Sequence, residues 1–98
     1  MDVKRAMDRL GKDNPTVRAL VVVAADGSVV ETSVSPELAK CYAQHVGPLT
    51  DLARSFVRDR DPQDSLRFLR VRARRHELLV APSDGFSLVV VQDVPTEE

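Results

Sequence analysis

The sequence predicts a single α+β domain whose elements run helix, two strands, long helix, three strands. Three observations carry that expectation. A β-branched run, Leu20-Val21-Val22-Val23, stops at Asp26-Gly27 and resumes as Val29-Val30, the patterning of a hairpin. Ser35-Pro36-Glu37 then opens an apolar stripe that recurs every three or four residues as far as Val57. Beyond it, Leu66 to Arg74 alternates as a strand does. Ninety-eight residues, 43% of them hydrophobic and 30% charged, make one globular domain over residues 1–98 and exclude a two-domain enzyme.

Each element has its own reason. Val3, Met7 and Leu10 stand four and three residues apart with charges between them, which predicts a short amphipathic helix ended by Gly11 and Asn14-Pro15. The run before Asp26-Gly27 is too continuously apolar for a strand with one wet face, so it belongs inside the sheet, covered on both sides. Ser35 suits an N-cap, Pro36 the first helical position and Glu37 the positive end of the helix dipole. The stripe that follows takes in Leu38, Cys41, Tyr42, Val46, Leu49, Leu52, Ala53, Phe56 and Val57. Gly47-Pro48 interrupts it without shifting its phase, which predicts one kinked helix from Pro36 to Arg58. Such a helix is roughly 35 Å long at 1.5 Å per residue, and part of its stripe outruns the core one subunit can offer.

Asp59 to Asp64 reads as a polar connection around Pro62. In the strand after it, Leu69, Val71 and Ala73 share one face while Arg70, Arg72 and Arg74 share the other with Leu66 and Phe68. A tight turn at Arg75-His76 leads into Glu77 to Ala81, which Pro82 closes, and Ser83-Asp84-Gly85 turns the chain into Phe86 to Gln92. The acidic tail Thr96-Glu97-Glu98 reads as frayed.

Fourteen basic residues against 15 acidic give a net charge of −1, which argues against a dedicated nucleic-acid or anionic-membrane binder. Charges throughout Met1 to Asp13 leave no signal-peptide pattern, and the longest apolar run, Ala19 to Ala25, is too short to cross a bilayer. The expectation is a cytoplasmic protein, and a lone Cys41 suits a reducing compartment.

No catalytic, cofactor or metal site is expected. Cys41 and His45, one helical turn apart, are too few to hold a metal, and Cys41 reads as a small packed hydrophobe. Asp59, Asp61 and Asp64 resemble the opening of a calcium loop, but the central glycine is missing and Arg70 occupies the closing position. The isolated glycines cradle no phosphate. Among Arg67, Arg70, Arg72, Arg74 and Arg75 only Phe68 could stack a base, so a partner-binding or solvated sheet face is the better account.

Ala53-Arg54-Ser55, Val57-Arg58-Asp59, Asp61-Pro62-Gln63, Phe68-Leu69-Arg70-Val71-Arg72, Val80-Ala81-Pro82 and Leu88-Val89-Val90-Val91-Gln92 stand in an order and spacing that resembles roadblock-type dynein light chains. The resemblance implies a five-stranded antiparallel sheet with the long helix on one face and the short helix on the other, a roadblock/profilin-like sandwich. It also implies a dimer with a continuous sheet, joined through the third strands and the long helices. The function implied is that of a noncatalytic light chain that binds dynein intermediate chains, in the cytoplasm or in a ciliary or flagellar axoneme. The dimer could pair two copies or join another roadblock-type light chain. The alternative within the wider family is a platform that regulates a small GTPase.

On that reading the dimer interface takes Tyr42, Val46 and Leu49 from the long helix. From the third strand and its approach it takes Asp64, Leu66, Phe68, Leu69, Arg70, Val71, Arg72 and Arg74. Like charges opposed in an antiparallel pair repel, so a two-fold axis at Leu69 is preferred; it sets Asp64 opposite Arg74 of the partner subunit and keeps arginines apart. Val3, Met7 and Leu10 are the expected wall for a partner helix.

Overall fold

The computed structural model describes residues 3–94, and their side chains from Lys4 onward. The tail at 96–98 and the side chain of Val3 therefore lie outside the described residues. The elements are α1 (Val3–Asp13), β1 (Val17–Ala24), β2 (Val29–Thr32), α2 (Pro36–Arg60), β3 (Leu69–Arg72), β4 (His76–Ser83) and β5 (Phe86–Asp93). The strands form one antiparallel sheet in the order β2-β1-β5-β4-β3.

The continuous apolar run of β1 is explained by its place between β2 and β5, with a helix on each face. On one face Val21, Val23, Val80 and Val89 meet Ala39, Ala43 and Val46 of α2. On the other, Leu20 and Val22 meet Met7 of α1. Val21, Val80 and Val89 are fully enclosed, each contributing roughly 1.5–3 kcal/mol by burial. Glycines make the tight turns: Gly27 (φ 91°) after Asp26 and Gly85 (φ 82°) after Asp84 take backbone conformations that other residues resist. The two turns are clasped at one end of the sheet by the Ala25 N–H donating to the Gly85 carbonyl at 2.9 Å.

α2 is one helix through Pro48, as the unbroken phase of its stripe predicted. Ser35 Oγ accepts from the Leu38 N–H at 3.3 Å, and Pro36 occupies the first turn. Its length exceeds its support. Twenty-five residues span about 37 Å, whereas an eight-residue strand spans about 27 Å. The buried positions of α2, Ala39, Ala43, Val46 and Thr50, accordingly end at its middle.

Three boundaries differ from the sequence reading. β3 begins at Leu69 and not Leu66, because in the register Leu69↔Val80 the residue opposite Arg67 is Pro82, which has no N–H to give. Pro82 thus limits β3 without closing β4, where it pairs with Ser87 and the strand runs on to Ser83. The β3–β4 turn lies at Arg74-Arg75, since the Ala73 N–H donates to the His76 carbonyl at 2.9 Å. That single-residue shift sets Arg72, and not Arg74, opposite Glu77. Cys41 is a further correction: it is exposed, and His45 Nδ1 lies 2.9 Å from the Cys41 carbonyl oxygen and not on the thiol.

Candidate functional site

Among the described residues, a surface with unsatisfied binding capacity joins the outer edge of β3 to an apolar flank of α2. β3 has a neighbour only on its β4 side, so one row of its backbone N–H and C=O groups is open to another strand. On α2, Leu38, Tyr42, Leu49, Leu52 and Phe56 stand three, four or seven residues apart and share one flank. Leu52 is 70% and Phe56 69% exposed, far above what a monomer's core would leave on a helix rich in apolar residues. Phe68 and Val71 add exposed apolar surface at the strand.

The residues expected at an interface divide by environment. Leu69 and Val71 face the α2 side with Val80 and Leu78, and Leu69, like Tyr42, packs against the core. Val46 is fully committed to that core. Leu49 and Leu66 are partly covered, and Arg74 is in the turn. Asp64 lies in the turn after α2, its carboxylate accepting the Ser65 N–H at 2.8 Å. Both Asp64 and Arg74 stand outside the strand, so no β3 register by itself sets one against the other. Of the expected partner wall on α1, Met7 is 5% exposed against Leu20 and Val22, which leaves Leu10 as its accessible apolar side chain among the described residues.

The electrostatics of the edge centre on a residue that sequence reasoning passed over. Glu77, opposite Arg72 and next to the central β5, has a side chain only 3% exposed. Its Oε2 accepts from Arg72 Nε at 3.1 Å and stands 3.4 Å from Arg70 Nε, while its Oε1 accepts from Gln92 Nε2 at 2.9 Å. The Gln92 hydrogen bond first, then those arginines, hold the Glu77 carboxyl below its ordinary range against the opposing effect of burial. Arg70 also stacks over the Phe68 ring at 5.7 Å, which keeps Phe68 on the arginine face. The signal that could have found Glu77 is a two-residue turn at Arg74-Arg75; reading it one residue later hides the pair.

A second feature is an open groove of about 850 Å³ where α2 leaves the sheet, bordered by Arg54, Arg58, Arg67, Asp51 and Asp84. Asp51, Arg54, Ser55 and Arg58 occupy a different flank of α2 from the apolar stripe. Nearby, the buried Thr50 hydroxyl has no hydrogen-bond partner among the described residues.

Comparison with known proteins gives this arrangement a family. A Roadblock/LC7 domain from Streptomyces avermitilis superposes with a TM-score of 0.86 at 23% identity, covering 95% of this chain and 79% of that one. MglB from Myxococcus xanthus superposes at 0.73 with 15% identity, over 91% of this chain and 68% of that one. The gliding protein MglB of Thermus thermophilus does so at 0.79 with 14% identity, over 92% and 70%. These likenesses establish the fold: the five-stranded antiparallel sheet between a long and a short helix is the roadblock architecture. The family model for the Roadblock/LC7 domain matches residues 5–93, nearly the whole chain, and the chain belongs to that family.

Proposed function

We propose that this chain is a noncatalytic roadblock platform that pairs with a second copy of itself through β3 and the apolar flank of α2, and that the pair regulates a small GTPase inside the cell. The observation that carries the reading is the uncovered half of α2 beside an open strand edge. Two such surfaces brought together by a two-fold axis cover each other, which a symmetric dimer requires. The likeness to MglB, a bacterial gliding protein, supports the GTPase-platform reading over the dynein one. Another MglB structure is described in a tetrameric arrangement, in keeping with self-association of the fold.

Binding is the whole mechanism on this reading: a rigid double sheet presents one surface to the partner, and the partner's nucleotide chemistry changes through what that surface stabilises. The dynein light-chain reading keeps the support of the motif series from Ala53-Arg54-Ser55 to Val91-Gln92. The deciding experiment is to recover the chain's partners by crosslinking in its own cells, then to measure GTP hydrolysis and nucleotide release by any recovered small GTPase with and without the purified chain. A change in either rate at stoichiometric dimer supports the proposal. Binding to a dynein intermediate-chain helix, with no effect on any GTPase, transfers the function to the dynein reading.

A further inference from the structure

β3 poses a problem for self-pairing. For both long helices to lie on the same face of a continuous sheet, residues facing each other across the two-fold must point to the same side. A two-fold at Arg70 then opposes that arginine to itself, and one at Val71 opposes Arg70 to Arg72. One at Leu69 avoids direct opposition, but it leaves the two copies of Arg70 diagonal neighbours, roughly 7–8 Å apart in an antiparallel pair. It also leans on residues 66–68, which lie outside the strand. Every two-fold available to this short strand therefore brings cationic side chains together while removing water from them, and like charges so placed repel.

We infer that Glu77 is the specificity-determining residue for self-pairing: the buried carboxylate on β4 offsets half of the positive charge that Arg70 and Arg72 bring to the edge. The inference rests on the self-association reading above. Its basis is geometric. The carboxylate is 3% exposed, whereas Arg70 and Arg72 are 57% and 52% exposed, so the negative charge lies buried beneath two solvent-facing positive ones. One oxygen accepts from Arg72 Nε and forms an ion pair with Arg70 at 3.4 Å, and Gln92 holds the other, which keeps the carboxylate aimed at β3. Both arginines point to the α1 side of the sheet, opposite Leu79 and Glu77 of β4, so their charge lies off the α2 flank. The open backbone row and the α2 flank can then meet their copies with half the positive charge the arginines alone would bring to the seam. By the same argument the like-charge objection to a two-fold at Arg70 or Val71 is weakened.

The test is the salt dependence of dimerisation, a readout that a merely structural role for Glu77 would not produce. Sedimentation equilibrium of the purified chain should give a dimer whose Kd falls only modestly as ionic strength rises, far less than that of the variant lacking the carboxylate. Glu77→Gln, which keeps the side-chain shape and a partner for Gln92, should weaken the dimer at least about tenfold at low salt, and adding salt to about 0.5 M should recover most of that loss by screening. Glu77→Gln with Arg70→Gln and Arg72→Gln should dimerise within about threefold of the parent and without salt response. This triple variant decides the matter where Glu77→Gln alone does not fold. A single variant that pairs as the parent does, a loss that salt does not relieve, or a triple variant that folds but stays monomeric overturns the inference. A parent chain that is monomeric under all these conditions overturns the self-association reading itself, which distinguishes the two failures.

Discussion

The ring of Phe56 offers the cleanest test of the apolar flank. It is 69% exposed in the single chain, so of the roughly 200 Å² a phenylalanine presents, about 140 Å² is left for a partner to cover. At about 25 cal/mol per Å² that area is worth up to about 3.5 kcal/mol per ring. Alanine keeps part of the surface and the fit is never complete, so about 2 kcal/mol per ring is a fair loss for Phe56→Ala. Symmetry presents the ring twice, for about 4 kcal/mol per dimer, a Kd raised between about a hundredfold and a thousandfold. The folded monomer should hardly notice, because the substitution removes a ring outside the core, and exposed changes fall within about 0.5 kcal/mol. Sedimentation over a range of concentrations measures the Kd, and urea unfolding below it measures the monomer. A parent that dimerises and a Phe56→Ala variant with the same Kd would show that α2 pairs through another flank, or not at all.

Val89→Ala, in contrast, should cost about 2–3 kcal/mol in urea unfolding, because it opens a cavity at a fully enclosed position, while Val30→Ala, 57% exposed on the other edge strand, should cost under about 0.5 kcal/mol. Gly27→Ala should lose about 1–2 kcal/mol through backbone strain alone, since φ is 91° and no atom lies within 4 Å of the added carbon; a neutral result would mean the turn can adopt another shape. Acid should destabilise the fold in a definite window: Asp93 through its hydrogen bond from Arg18, Asp26 through Ser28 and Glu77 through Gln92 are all held below their ordinary values. The unfolded chain therefore binds protons first as pH falls, so this stability is present above about pH 4 and is lost as pH falls through the depressed folded values. Urea midpoints measured from about pH 6 to about pH 2 should show the fall, and Asp93→Asn should flatten part of it.

Much of the fold was legible in the sequence because its signals are local. The Val21–Val23 run, the glycines after Asp26 and Asp84, and the Ser35-Pro36 start of α2 each act through neighbouring backbone, and each element formed where its pattern stood. The excess length of α2 was legible too, because helix rise and strand rise are fixed by geometry. The tertiary structure decided what depends on register and on which face is covered. A turn one residue earlier than its composition suggested placed Glu77 beside Arg72 and gave two edge arginines a buried counter-charge. Pro82, remote in sequence from Arg67, set where β3 begins by withholding a single N–H. Met7 and Cys41 exchanged their expected roles, one packed and one exposed, because helical spacing states which residues share a flank but not which flank meets the sheet.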